Sequence, residues 1–547
     1  MLINTISGRL LDKSEQASAF ESQPVFNKLI SSMTTHIDQA LIEHDVADYY
    51  RYAMFSHKWE KNEPLFEQVI RKIVYDLESS PTNDKLRMFC QIVKDAGLKW
   101  AWSDTCCINK ADHFVLQEAL VSMFKWYQGS AKTVVLLRGV PSPSRRGDLV
   151  KSIWNSRAWT FQEYHASKVV QFYNEDWTLY LNLDIPNHKE SPEIISEMEE
   201  VTEVSKQALM AIQPGIDNIR EKLCLVSTRQ ATLAEDAAYS MLGIFNMTLP
   251  VIYGEGDQAL GRLLAQLLTS SGDAGILAWT GKSGSFNSCL PGSITVFKEL
   301  SPSHIPPALT STEKETFTAK LKSRTSSLNL TSVTELYDRL DQLPVPFFVG
   351  KRMKLPCITF KLGPLSVSRN NQERVFRAQT TLLGIVEIKS EEDLPRFSPL
   401  YLVYPWIDFL LDRQPVGSVV ETIPEDKTGD QSSTIGELTL FPGPSAPQSR
   451  TTQFISRFGL SFGSRRRDAA SLLPPSTLAQ SDKQMRALRM LARLNRPFGA
   501  LLLTPSRDGV AAYKRVAAES LIKAQVQKIT PAALDKLMDS VEALDVL

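Results

Sequence analysis

The stretch 98–140, LKWAWSDTCCINKADHFVLQEALVSMFKWYQGSAKTVVLLRGV, constrains the fold more than any other. Apolar Trp100, Ala101 and Trp102 break at Ser103-Asp104-Thr105-Cys106-Cys107. Leu116, Leu120, Met123, Phe124 and Tyr127 then recur at helical spacing, and 133–137 runs as a buried strand. The order strand, polar tip, helix, strand describes a crossover unit, which joins parallel strands with a right-handed turn. In open parallel sheets ligands sit beyond the carboxyl ends of the strands, so Asp104 stands where chemistry is expected.

The flanking chain repeats the alternation. Residues 1–11 predict a short strand or hairpin, 26–47 a helix and 50–56 the first core strand. In 64–77, Leu65, Val69, Ile70, Ile73 and Leu77 share one helical face, and 84–96 predicts a second helix closed by Gly97. Residues 154–166 read as a helix and 168–173 as the next strand. Four strands alternating with helices predict a parallel α/β sheet over residues 1–180. A helical extension, 181–300, follows, and then a Ser/Thr/Pro-rich linker, 301–332. The remainder, 333–547, predicts a β-rich C-terminal domain with strands in 347–349, 357–362, 375–388 and 400–404. Residues 501–504, 511–517 and a final helix over 531–544 close it, and 426–452 and 463–482 read as surface loops.

Composition narrows the class. A chain of 547 residues exceeds what one core usually holds. Lys+Arg and Asp+Glu are both 61, and a zero net charge argues against nucleic acid as a partner. The six cysteines show no C-x-x-C pair, which predicts reduced thiols in a cytoplasmic protein. Cys106, Cys107 and His113 lack the spacing of a closed metal site, so no metal is expected. The most apolar late stretch, 400–411, is broken by Pro405 and Asp408, and neither a signal peptide nor a membrane span is expected. Gly281-Lys282-Ser283 fails as a phosphate loop, because Ile276 stands where that pattern needs glycine.

The candidate site gathers at the strand tips. Ser56 and neighbouring backbone N–H groups suit a phosphate, and Trp59 suits either a stacked heterocycle or a place in the core. His57 reads as substrate-binding or as a partly exposed hydrogen-bonding residue. Asp104 suits a ribose hydroxyl or a loop cap. Trp159 and Glu163 lie four residues apart, on one helical face, and Glu163 reads as a catalytic carboxylate or as a partner of Arg157.

Three ordered motifs carry a resemblance. Tyr52 to Glu60 (YAMFSHKWE), the D-x-x-C-I-N-K run at Asp104 to Lys110 with its S-M-x-x-W-Y helix, and Trp154 with Arg157 to Glu163 (RAWTFQE) resemble the motifs of the fungal heterokaryon-incompatibility (HET) domain. A further segment, Glu235 to Phe245 with Tyr253-Gly254-Glu255-Gly256, resembles the one that follows the HET core. The resemblance implies a flavodoxin-like fold akin to that of Toll/interleukin-receptor (TIR) domains, and a role in non-self recognition and programmed cell death. TIR domains that cleave NAD set their glutamate in a similar W-x-x-x-E context. By that likeness Glu163 would be catalytic, Ser56, His57, Trp59, Asp104 and Trp159 would bind substrate, and NAD would be a substrate with no further cofactor. The other reading is a non-catalytic module that works by self-association or with a partner signalling protein. Val115 and His113-Phe114 depart from the family pattern, where an early glutamate and more polar residues are usual.

Overall fold

The computed structural model describes residues 1–33, 39–202, 206, 209, 212–298, 329–370, 373–390, 394, 398–406, 478–506 and 511–547. The expected loop 426–452, residues 463–477 of the other loop, and residues 301–328 of the expected linker lie outside them. Two compact units divide the chain, 1–412 with 484–547 and 413–483, and the features below belong to the first, residues 478–483 excepted.

The first sheet contains β1 (Leu2–Asn4), β2 (Leu10–Leu11), β3 (Tyr52–His57), β4 (Trp100–Trp102), β5 (Lys132–Leu136) and β6 (Val170–Tyr173), in the order β2-β1-β4-β3-β5-β6. β1 and β2 form the expected hairpin, antiparallel to each other and to β4. β4, β3, β5 and β6 run parallel. Their near-continuous apolar residues fit strands covered on both faces. From β3 the chain crosses to β4 on one side and then returns past β3 to β5 on the other. The direction of crossover thus reverses at β3, and a crevice is expected at its carboxyl end.

The helix Pro81–Asp95 starts at the Ser80 cap, with proline in its first turn, and ends before Gly97, whose φ of +75° suits a residue without Cβ. The helix His113–Gly129 is capped by Asp112, whose carboxylate accepts from the N–H groups of Phe114 and Val115.

Local pattern misled in five places. Residues 64–77 form a short helix, Phe66–Val69, and a 3-10 turn, Val74–Asp76. Between them Ile73 bridges Arg9 and the Val74 N–H donates to Gly8, so pairing with the first hairpin overrides the helical spacing. The expected helix 154–166 is two pieces, Ile153–Ser156 and Ala158–Ala166, broken at Arg157, whose ψ is 143°. The last helix, Pro531–Asp539, stops at Ser540, and the chain continues as a strand because it pairs with an earlier one. The helices Leu330–Asp341 and Leu478–Leu494 begin inside what read as linker and loop.

The C-terminal part is β-rich. It holds β7 (Phe347–Val349), β8 (Arg352–Lys361), β9 (Leu365–Asn370), β10 (Glu373–Thr380), β11 (Gly384–Lys389), β12 (Tyr401–Pro405), β13 (Phe498–Pro505), β14 (Tyr513–Arg515), β15 (Ile522–Ala524) and β16 (Val541–Val546). β9, β10 and β11 make a small antiparallel sheet. In the larger sheet β12-β13-β14-β16-β8-β7 follow one another, and β12 also pairs with β8. The strands β8, β12, β13, β14 and β16 therefore close into a ring, which leaves no open edge among them. Met353, Leu355 and Cys357 on β8 pack into the core that begins under the first sheet, whereas Phe360 and Leu362 face a second core.

The first sheet ends differently. β6 is its edge, and the backbone N–H groups of Val170 and Phe172 point away from β5. Asn187 Oδ1 accepts from the first at 3.1 Å and His188 Nδ1 from the second at 3.0 Å. The proton on His188 is thereby placed on Nε2, which donates to the Leu183 carbonyl at 2.9 Å.

Candidate functional site

The carboxyl end of β3 presents Ser56, which is fully buried. The Trp154 indole N–H donates to Ser56 Oγ at 2.7 Å, and Ser56 Oγ donates to Glu163 Oε2. This chain of hydrogen bonds depends on the break at Arg157. A single straight helix would carry Trp154 and Glu163 on fixed relative bearings, whereas the extended residue at 157 lets both reach one hydroxyl. The break is held from within: Thr160 Oγ1 donates to the carbonyls of Trp154 and Arg157. From the helical extension, Arg229 donates to the Arg157 carbonyl, to Thr160 Oγ1 and to Asn155 Oδ1. Burial lowers the Arg229 pKa to about 10, still well above neutrality.

Glu163 is only 6% exposed. Burial, and after it the charge of Asp104, raise its pKa from 4.5 to about 7, against the opposing effects of the Ser56 hydrogen bond, Arg157 and Arg229. Arg157 is not its ion-pair partner, since its guanidinium donates to the His57 carbonyl oxygen. The reading of Glu163 as the Arg157 partner is thus replaced by a carboxyl group held by a neutral hydroxyl.

Trp59 is 40% exposed, which removes it from the core. Its Nε1 donates to Asp104 Oδ2 at 2.8 Å, and the Lys110 ammonium sits 3.6 Å from the ring centroid. Asp104 therefore closes the loop onto Trp59, and burial raises its pKa. His57 is 4% exposed, not partly exposed as one reading had it. It stacks on Phe55 with centroids 4.1 Å apart, and neither ring nitrogen has a hydrogen-bond partner among the described residues. Nε2 lies 3.8 Å from Glu63 Oε1, too far for a hydrogen bond. Burial, with the charges of Lys85 and Arg157, drives the His57 pKa well down and keeps the ring neutral.

Trp159 goes elsewhere than its helical neighbour Glu163. Its indole hydrogen-bonds with the Asp236 carboxylate, which also accepts from the Tyr253 hydroxyl at 3.0 Å. Ser56 and Glu163 thus meet directly, Asp104 acts on Glu163 through its charge and on Trp59 by contact, and Trp159 belongs to an adjoining cluster.

Lys110, Trp154, Asp236 and Tyr253 were not assigned from the sequence, although all four stand in the quoted motifs. The neighbour of Asp236, Glu235, explains one of those motifs: its carboxylate accepts from the backbone N–H groups of Gly254 and Gly256, and so pins the Y-G-E-G loop. Val115 and Phe114 lie on the exposed first turn of their helix, and Phe114 is 89% exposed. All six cysteines are buried, and Cys107 accepts from the Ser103 N–H at 3.3 Å. Among the described residues no group of three or more His, Cys, Asp or Glu side chains is placed to hold a metal ion, and no helix is long and apolar enough to cross a membrane.

Comparison with known proteins adds a family match over the same region. The model of the heterokaryon incompatibility protein (HET) family matches residues 52–146. The chain is 34% identical over 223 residues to vegetative incompatibility protein HET-E-1 of Podospora anserina, a match that covers 39% of this chain and 16% of that protein. The chain thus spans less than a fifth of the length of this relative. No solved structure matches.

Proposed function

We propose that residues 1–180 carry the effector step of a heterokaryon-incompatibility response in the cytoplasm, and that they act by hydrolysing NAD at its nicotinamide–ribose bond with Glu163 as the catalytic carboxylate. The carrying observation is a buried glutamate, bonded to Ser56 at the carboxyl end of β3 where the crossover direction reverses, with a pKa near neutrality. The family match at 52–146 and the name of the relative support the biological half of the reading. The parallel order β4-β3-β5-β6 supports the chemical half, because second-first-third-fourth is the flavodoxin-like order that the TIR likeness implies.

In such a reaction the bond between the nicotinamide nitrogen and C1′ of ribose breaks, and its electron pair leaves with nicotinamide. The ribose becomes positively charged and oxocarbenium-like. A carboxylate at close range stabilises that charge, and water then adds to C1′ and loses a proton. Only the ionised form of Glu163 does this, so the rate rises as pH passes through about 7. Ser56 and Trp154 hold the carboxyl group in one orientation before substrate arrives.

The test is nicotinamide release from NAD by the purified full chain, dilute and concentrated, beside Glu163→Gln. Glutamine keeps an oxygen for the Ser56 hydroxyl, so the variant should fold without loss of stability. Turnover lost in a variant whose melting temperature is not lowered supports the reading, and undiminished turnover removes Glu163 from the chemistry. If the wild type arrests growth yet consumes no NAD at any concentration, the module signals without catalysis, through self-association or a partner protein.

A further inference from the structure

Trp59 is exposed and yet fixed. Asp104 holds its indole N–H at 2.8 Å, and the Lys110 ammonium covers one face of the ring at 3.6 Å. Lys110 is poorly served in return: Nζ is shut away from solvent and has no hydrogen-bond partner among the described residues. An ammonium group carries three donors, and leaving them unmade is costly. What retains it is the negative face of the ring together with the carboxylates of Asp104, Glu63 and Glu67. A ring face flanked by carboxylates binds any cation of suitable size. It suits a flat, delocalised and weakly hydrated one better than an ammonium stripped of its hydrogen bonds.

We propose that Lys110 is a resident stand-in for a cationic heteroaromatic ligand, whose pyridinium-type ring displaces the ammonium group from Trp59. Lys110 lies between β4 and the helix His113–Gly129, on a stem of four flexible methylenes, and swings to solvent when displaced. The subsite then selects charge: an oxidised, positively charged ring competes for the face and a neutral ring does not. This deepens the reading above, and rests on it only for the identity of the dinucleotide that would carry such a ring. A phosphate-binding role for Lys110 makes a different prediction, because removing the lysine would then leave the binding of a phosphate-free cation unchanged.

Calorimetric titration of the full chain with 1-methylnicotinamide, and with neutral nicotinamide as comparator, decides between them. Lys110→Met and Lys110→Gln should each bind the cation about three- to tenfold more tightly than the wild type, the range expected for releasing one cation–π contact. Nicotinamide binding should not change, and Trp59→Leu should lose the cation. Melting curves identify any variant that has failed to fold, and two replacements at 110 guard against that outcome. Weaker or unchanged binding of the cation in folded Lys110 variants overturns the proposal, and so does a probe that binds no form of the chain. The probe has no ribose bond to cleave, so cation binding that tightens without NAD loss supports the subsite while sinking the hydrolysis reading. NAD turnover with cation binding indifferent to Lys110 does the reverse.

Discussion

The open parallel sheet and the closed ring of β8, β12, β13, β14 and β16 treat an enclosed charge in opposite ways. On β14, Arg515 donates to the carbonyl oxygens of Leu277 and Trp279, at 3.1 and 2.5 Å, and stacks 3.7 Å from the Trp279 ring. Burial lowers its pKa only to about 10, so it stays charged, and it ties the ring to the helical extension. Glu163 takes its side-chain hydrogen bonds from neutral hydroxyls, those of Ser56 and Tyr127, and has no salt bridge to Arg157. A charge held by two carbonyl oxygens and a ring face is a clamp. A carboxyl group held by neutral hydroxyls and not by an ion pair keeps a proton equilibrium near neutrality, and chemistry becomes available to it.

The largest break in this contrast should come from Arg515→Ala. It strands two carbonyls and removes the cation–π contact, for a cost on the order of 2–4 kcal/mol, read as a lowered denaturation midpoint of the full chain. An unshifted midpoint would mean that the clamp contributes nothing.

Second in size is a pH effect at Glu163. Its folded pKa, about 7, is above its ordinary 4.5, so the folded chain keeps a proton that the unfolded chain releases. The stability from this group is therefore full below about 4.5 and is lost as pH rises to about 7, a change of about 3 kcal/mol. Glu163→Gln lacks the slope, and its stability should gain on the wild type across that window. Parallel pH profiles for the two would show that Glu163 ionises as an ordinary surface carboxylate.

Ser56→Ala sharpens the comparison by stranding the Trp154 N–H, at about 1–3 kcal/mol. It also removes a hydrogen bond that holds the Glu163 pKa down, so the pH–rate midpoint should move to higher pH. A midpoint that stays or falls would show that Ser56 does not set the proton affinity. The smallest effect should be Asp236→Asn, which keeps an acceptor for Trp159 or Tyr253 and should cost less than about 1 kcal/mol in a melting curve.

Much of the open sheet was legible because its strands are short apolar runs with polar tips, which is how 52–57 and 100–102 announce themselves. The approach of Ser56 to Glu163 followed from placing each at the same end of the sheet. The break at Arg157 was hidden, because it is fixed by Arg229, a residue far along the chain that no local pattern connects to it. Likewise the residues 541–546 carry helix-compatible side chains and become a strand only because β8 lies alongside them. Lys110 and Asp236 escaped for a related reason: each matters through a tryptophan it meets in space. The ring as a whole was legible in composition but not in closure, since the pairing of β12 with β8 is a fact about distance.

The edge of β6 has its own consequence. Where another sheet would end in bare amide groups or a further strand, this one ends in the side chains of Asn187 and His188, each fitted to one outward N–H. A bare edge accepts any extended peptide that drifts past, and cross-β growth begins that way. Here an intruding strand must first evict two specific side chains, one of them an imidazole that has to remain neutral in order to accept. This edge of the sheet is thus guarded against templated aggregation by a lock with two keys, and acid is the solvent condition that turns one of them.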